Sequence, residues 1–208
     1  MSILNKLASS LGRRDEIPNQ ELAKQIVKEK DRKAVKELVE NLSGKSKSIQ
    51  SDCIKVLYEI GELKPELIAP YCAEFAGILE SKNNRLAWGA MTALDAIALH
   101  NSEDIYKLLP RIVAAADNGS VITRDHAVGI LSKLGTIKSY SSDCFPLLME
   151  QLIKCPVNQL PMYVEKSAAV INDRNKKEFI KTVSSRVRDL KKDSQRKRID
   201  KVLKKFVI

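Results

Sequence analysis

Apolar residues recur at steps of three and four along most of the chain. One clear run places five of them on a single helical face: Ile49, Cys53, Val56, Leu57 and Ile60. Alternation of apolar and polar residues, the pattern of a half-buried strand, extends over no more than a few positions. The pattern predicts an all-α protein.

The same helix recurs at a constant interval along the sequence. Positions 49–61 align with positions 86–98 and 123–135, each copy 37 residues after the last, and a weaker copy follows at 160–172. The copies share a small residue at one position and a leucine four residues later: Cys53, Ala90 and Ala127, then Leu57, Leu94 and Leu131. Small residues permit close helix approach, and the leucines are expected to fill the space between neighbouring repeats.

Second helices are predicted between these first helices. Helical spacing places them at about 64–80, 102–117 and 141–154, with a further pair at 20–29 and 31–42 and a last helix at 176–190. Gly61 follows the first apolar stripe, where a left-handed helix cap is expected. A two-helix repeat of about 37–40 residues is the signature of an α-solenoid, because single repeats bury their apolar faces only by stacking.

The repeat resembles the HEAT and armadillo family. The family's first helix has the form apolar-Arg-x-x-Ala-x-x-Ala-Leu-x-x-Leu-Gly, and positions 123–135 come closest, with Arg124 at the arginine position. The other copies have Gln50, Ala87 and Pro161 there. The resemblance covers roughly residues 20–190 and implies a right-handed α-solenoid of about five HEAT-like helix pairs with terminal capping helices.

The resemblance also implies how the chain is organised and used. We predict one solenoid domain over residues 1–192, including an N-terminal capping helix, and a basic amphipathic helix over 193–208 packed on the last repeat. Stacked repeats generate an extended concave surface, normally lined by the second helices, which implies a non-catalytic scaffold that binds another protein. Candidate contacts on the second helices are Glu74, Lys107, Arg111, Glu150 and Lys181.

Trp88, the single tryptophan, lies on a first helix at a position that other copies fill with Ser51 and Asp125. It is a further candidate contact, because an exposed indole can anchor a partner. The alternative is that the indole packs against an adjacent helix.

The positive charge is concentrated at one end of the chain. The formal net charge is +10, and residues 186–208 hold ten bases against three acids. This segment could contact the phosphates of a nucleic acid, which makes nucleic-acid binding the alternative function. Its polar face could equally serve only to cap the solenoid. The candidate phosphate contacts are Arg186, Arg188, Lys197, Lys201 and Lys204.

The sequence contains no motif of a familiar catalytic or cofactor site. Walker loops, nucleophile elbows, H-E-x-x-H and G-x-G-x-x-G are absent, so we predict no enzyme activity and no cofactor. His126 is interpreted as a helix-surface or groove residue. One enzyme class with this architecture, the helical-repeat glycosylases that remove alkylated DNA bases, stays open, with Trp88, Arg124 and Asp125 as its loosely suitable residues.

The remaining exclusions concern metals, membranes and location. Four cysteines without a C-x-x-C pair and two histidines predict no metal site, and Cys53, Cys72 and Cys144 are expected to be buried thiols. No apolar run approaches the roughly 18 residues of a membrane span. Residues 1–12 lack the features of a signal peptide and predict a packed helix, with a weak membrane-surface helix as the alternative, so a cytoplasmic protein is expected.

Overall fold

The computed structural model describes residues 2–206. This part of the chain contains twelve α-helices, five short 3₁₀ helices and no strand. The helices are α1 Ile17–Glu29, α2 Arg32–Glu40, α3 Lys47–Leu63, α4 Cys72–Gly77, α5 Asn84–Ile97, α6 Ser102–Lys107, α7 Leu109–Asn118, α8 Val121–Gly135, α9 Ser141–Lys154, α10 Leu160–Ser167, α11 Lys176–Val187 and α12 Asp193–Leu203. The all-α prediction is confirmed. Residues 1, 207 and 208, the ends of the two predicted domains, lie outside the described residues.

The four first helices are α3, α5, α8 and α10, in the register that the 37-residue repeat predicts. With α1 and α2 and the intervening helices they form about five helix pairs. The residues predicted to pack at the shared positions are all at most 1% exposed: Cys53, Leu57, Ala90, Leu94, Ala127 and Leu131. The repeat pattern in the sequence is therefore the pattern of the core.

Two of the second helices are broken where one continuous helix is expected. Residues 64–80 form two 3₁₀ turns, Pro65–Leu67 and Ala69–Tyr71, followed by the short α4. Residues 102–117 form α6 and α7, and Pro110 lies in the first turn of α7. Proline lacks an amide hydrogen and its ring crowds the carbonyl four residues earlier, which ends the preceding helix. The predicted helix at 141–154 is confirmed as α9.

Gly61 has a different role from the predicted left-handed cap. It lies inside α3, which continues to Leu63, and its φ is not positive. A Cβ at this position would lie 2.7 Å from Cδ1 of Ile68 and 3.0 Å from Cβ of Ala96. The glycine is therefore required by the close approach of neighbouring elements rather than by the backbone conformation.

The N-terminal segment packs, but not as the expected helix. Only Ile3–Lys6 is helical, as a 3₁₀ turn. Leu7 and Ala8 are buried, whereas Leu11, expected on the same apolar stripe, is 54% exposed. The prediction of one amphipathic helix over residues 1–12 is therefore wrong.

The described chain divides into two compact units, residues up to 127 and residues from 128 onward, with the boundary inside α8. In the first unit α3 packs between α1 and α5, and in the second α10 packs against α9 and α12. The predicted domain boundary at residue 192 stays a prediction. No helix among the described residues is long and apolar enough to cross a membrane.

Candidate partner-binding surfaces

A groove of about 430 Å³ opens in the first unit between the N-terminal half of α5 and one face of α7. Its α7 wall consists of Arg111, Ala114, Ala115 and Asn118, whose spacing of three and four places them on a single helical face. The opposite face of α7 carries the buried residues Leu109, Ile112 and Ala116. Helix α7 thus fills the core with one face and leaves the other uncovered.

The helical side chains in the floor of this groove are small and leave the groove open. Ala87 of α5 faces Ala114 and Ala115 of α7 across the opening. The rim is polar: Arg111 pairs with Glu80 at 3.3 Å, and the side-chain amide of Asn118 donates to the carbonyl of Ala114 at 2.9 Å. Asn84, at the start of α5, is exposed on the same rim. An apolar floor with a rim of amides and one ion pair suits a peptide segment.

Of the candidate contacts predicted on the second helices, Arg111 alone lines this groove. Glu74 and Lys107 are exposed on α4 and α6, and Lys107 pairs with Glu103 at 2.7 Å. Glu150 on α9 pairs with Lys154, and Lys181 is exposed on α11, both in the second unit. The groove alanines and asparagines were not predicted; the available signal was the helical spacing of the short side chains Ala114, Ala115 and Asn118 beside Arg111.

Trp88 is half-buried and packs against a neighbouring helix. Its ring centroid lies 5.6 Å from that of Tyr58 on α3, with the planes tilted by 49°. Lys55 places its ammonium 4.8 Å from the Tyr58 ring and pairs with Glu16 at 2.9 Å and Glu59 at 2.6 Å. Burial lowers the pKa of Lys55, but the hydrogen bonds to Glu59, Tyr58 and Glu16 outweigh it and raise that pKa above its ordinary value. The indole of Trp88 therefore packs against an adjacent helix of the first unit, as the alternative interpretation expected.

His126 forms a contact that the sequence analysis did not find. Its Nδ1 lies 2.9 Å from a carboxylate oxygen of Asp95 on α5, with the imidazole partly exposed and the carboxylate largely buried. The two residues are 31 positions apart in the sequence, and the fold of the first unit brings them together. The pair anchors the start of α8 within the first unit.

Arg186, a predicted phosphate contact, has its guanidinium engaged within the protein. It donates to the carbonyls of Leu152 at 2.9 Å and Cys155 at 3.1 Å, and also to that of Ile153. These carbonyls end α9, where helices leave acceptors without an internal partner. A further bond to Asp189 at 2.8 Å completes the set. The structure thus gives Arg186 a capping role, while Arg188, Lys197, Lys201 and Lys204 are exposed.

Helix α12 packs through one face against the other helices of the second unit. Ile199 and Val202 are buried, and Phe206, just beyond the helix, meets Phe179 edge-on at 5.7 Å between ring centroids. Arg198 donates to Glu165 of α10 at 2.8 Å, and this hydrogen bond holds the pKa of the Glu165 carboxyl below its ordinary value. The helix is therefore fixed in place, with its remaining cations directed outward.

No protein-family model and no curated protein matches the sequence. Solved structures do match. A designed armadillo repeat protein in complex with the peptide (KR)4 superposes with a TM-score of 0.69 at 15% identity, covering 90% of this chain and 87% of that one. The chain has an armadillo/HEAT-like helical-repeat fold.

Two further structures extend this likeness over almost the whole of this helical-repeat chain. Computationally designed armadillo repeat proteins for modular peptide recognition match with a TM-score of 0.65 at 14% identity, covering 97% of both chains. An engineered protein matches with a TM-score of 0.64 at 17% identity, covering 98% of both. At these identities the likeness establishes the fold, and the function must be argued from the surfaces.

Proposed function

We propose that this protein is a non-catalytic scaffold that binds a peptide segment of another protein in the groove between α5 and α7. The observation that carries the proposal is the uncovered face of α7, where two alanines form a floor between polar rim residues. Large side chains would close such a groove, whereas alanines leave room for the side chains of a partner.

The chemistry of the groove also defines how a peptide would be held. Extended peptides present backbone amides and carbonyls, which the exposed side chain of Asn84 can match. Arg111 offers a guanidinium that now pairs with Glu80 in an exposed ion pair, so a carboxylate of the partner can compete for it at little cost. The likeness to repeat proteins designed for peptide recognition supports this use of the fold.

A displayed library of random peptides, selected on the full chain, tests the proposal. Ala114→Arg places a long side chain in the groove from an exposed position, so folding is preserved and the selected peptides should bind at least about tenfold more weakly. Ala73→Arg is the matched control, because Ala73 is exposed on α4 and lies outside the groove. This substitution adds the same positive charge as Ala114→Arg. Peptides that bind the Ala114→Arg variant as tightly as the wild type would show that the groove is not the site.

A cytoplasmic location forms part of the proposal. All four cysteines are free and buried, and thiols of this kind persist where the compartment is reducing.

The outward face of α12 favours a second function, the binding of a polyanion. Arg188, Lys197, Lys201 and Lys204 are exposed on a docked helical segment, whereas Arg186 is used within the protein. The neutralisation of Lys197, Lys201 and Lys204 should weaken the binding of any polyanion, measured by fluorescence anisotropy, more than the neutralisation of three lysines elsewhere.

A further inference from the structure

The segment from Arg188 to Lys205 carries a dense set of cations without carboxylate partners. Three arginines of this end of the chain are paired: Arg186 with Asp189, Arg196 with Asp193 and Arg198 with Glu165. Seven other bases are exposed and form no ion pair within 4 Å of a described carboxylate: Arg188, Lys191, Lys192, Lys197, Lys201, Lys204 and Lys205. Their charge is therefore available to a partner.

Three of these lysines form a row along α12 and its C-cap, which we name the lysine face: Lys197, Lys201 and the C-cap residue Lys204. At about 100° per residue they lie within an arc of about 60°, opposite the face that carries Ile199 and Val202. With a rise of about 1.5 Å per residue the row is about 10 Å long. Because the opposite face is buried, the helix is held in one orientation, so binding must order the exposed lysine side chains but not the helix.

We propose that the lysine face binds the phosphate backbone of double-stranded nucleic acid without reading its sequence. The inference rests on the polyanion binding proposed above. A duplex presents one phosphate charge per about 1.7 Å of its axis, so about six phosphates lie along the length of the row. A row of point charges carried by a fixed helix can reach several members of such a regular array of anions.

The composition of the face decides between a duplex and other nucleic acids. Single strands are held largely by aromatic side chains that stack on bases, and Phe206 packs on Phe179 rather than facing outward. Base reading in a groove favours the bidentate fork of arginine or the amides of Asn and Gln, whereas the lysine ammonium acts as a point charge. Lysines without arginine, Asn or Gln beside them on the face therefore favour backbone contacts, which are independent of sequence.

The docking of α12 argues against an anionic membrane as the partner. A helix that lies in a membrane interface must place an apolar face among the lipid chains. The apolar face of α12 is already buried against the second unit through Ile199 and Val202. Without a free apolar face, attraction to lipid headgroups would be electrostatic only.

The salt dependence of binding gives the expected magnitude. Each neutralised phosphate contributes about 0.9 to the slope of log affinity against log salt concentration, so three lysine contacts contribute about 2.7. Between about 50 and 200 mM salt, these contacts alone correspond to a loss of affinity of about 40-fold.

The experiment measures the fluorescence anisotropy of two labelled duplexes of unrelated sequence, titrated with the full chain over this salt range. The test variant carries Lys197→Gln, Lys201→Gln and Lys204→Gln. The matched control carries Lys24→Gln, Lys28→Gln and Lys33→Gln, three exposed lysines of α1 and α2, which lowers the net charge by the same amount.

The wild type should bind both duplexes equally, and the test variant should lose about 2.7 from the salt slope and bind at least about tenfold more weakly at the lowest salt. The control variant should stay near the wild type. The absence of duplex binding at low salt, or equal losses in both variants, would overturn the proposal.

Polyglutamate and vesicles that contain phosphatidylserine serve as competing polyanions. If either binds the lysine face more tightly than the duplexes do, the nucleic-acid inference fails while polyanion binding survives. The Ala114→Arg variant should keep full duplex affinity, because Ala114 lies in the peptide groove and not on the lysine face. The duplex proposal and the peptide proposal can therefore fail independently.

Discussion

The contact between Gly89 of α5 and Ile54 of α3 determines how closely these two first helices pack. A Cβ on Gly89 would lie 2.7 Å from Cγ1 and 3.2 Å from Cγ2 of Ile54, whereas unstrained carbon contacts are about 3.5–4.0 Å. Ile54 is fully buried, and its β-branched side chain has essentially one rotamer in a helix, so it cannot turn away. Gly89→Ala should therefore force the helices apart.

The expected size follows from two opposing effects. Alanine in place of glycine inside a helix stabilises by up to about 1 kcal/mol. Overpacking of a filled core costs about 1–3 kcal/mol. We expect the free energy of unfolding to fall by about 1 kcal/mol, the net of these ranges. Gly77→Ala is the control, because a Cβ there would meet no atom within 4 Å beyond its chain neighbours and the backbone of its own helix, and it should leave stability unchanged or raise it.

Urea unfolding followed by the fluorescence of Trp88 measures both variants, since this single tryptophan adjoins Gly89 on α5. In an Ile54→Ala background the clash is absent, and Gly89→Ala should become stabilising. The account of α3–α5 packing would be refuted if Gly89→Ala proved at least as stable as Gly77→Ala.

Three further predictions concern the second unit and the thiols. Arg186→Lys should lower the free energy of unfolding by about 1–3 kcal/mol, because an ammonium cannot replace the guanidinium across the α9 carbonyls, and wild-type stability in a urea titration would contradict the capping role. Burial raises the pKa of Cys53 to about 12 and of Cys144 to about 11, so both thiols should resist iodoacetamide at mildly alkaline pH until urea unfolds the chain, and rapid modification of the native protein, detected by mass spectrometry, would oppose this. Because the pKa of Glu165 is lowered by Arg198, the pair stabilises the fold at neutral pH and loses this effect as pH falls through the folded-state pKa. In Arg198→Gln, the free energy of unfolding should therefore fall less between neutral and acid pH, by a few tenths of a kcal/mol. An unchanged pH dependence would count against the pair.

The first helices could be predicted because their burial repeats. Cys53, Ala90 and Ala127 occupy one structural position and are all buried, so the same packing constraint appears three times in the sequence. A pattern that recurs three times rarely arises by chance. Helical periodicity depends only on residues a few positions apart, so it can be read from the sequence and places each first helix.

The second helices were predicted less well because local chemistry interrupts their apolar spacing. Pro65, Pro70 and Pro110 fall within stripes that otherwise read as continuous helices, and each lies in the first turn of a separate element in the structure. Gly61 shows the complementary error. A glycine at the end of an apolar stripe reads as a cap, but contact with Ile68, seven residues further on, is what requires it.

The candidate sites depended on contacts that a sequence does not display. Arg186 reads as one base in a basic segment, and only the fold brings it to the carbonyls at the end of α9. The groove beside α7 exists because no other element covers Ala114 and Ala115 in the described part of the chain. Composition and periodicity cannot show which helical faces stay uncovered. Charge and spacing predict which side chains are exposed, but not which of them remain free.

The most direct test of the scaffold proposal is an NMR titration of the isotope-labelled full chain with a peptide selected from the random library. The amide shifts should change first around Asn84, Ala87 and residues 111–118, and these changes should vanish in the Ala114→Arg variant. Shifts confined to other helices, or shifts that persist unchanged in Ala114→Arg, would contradict the account.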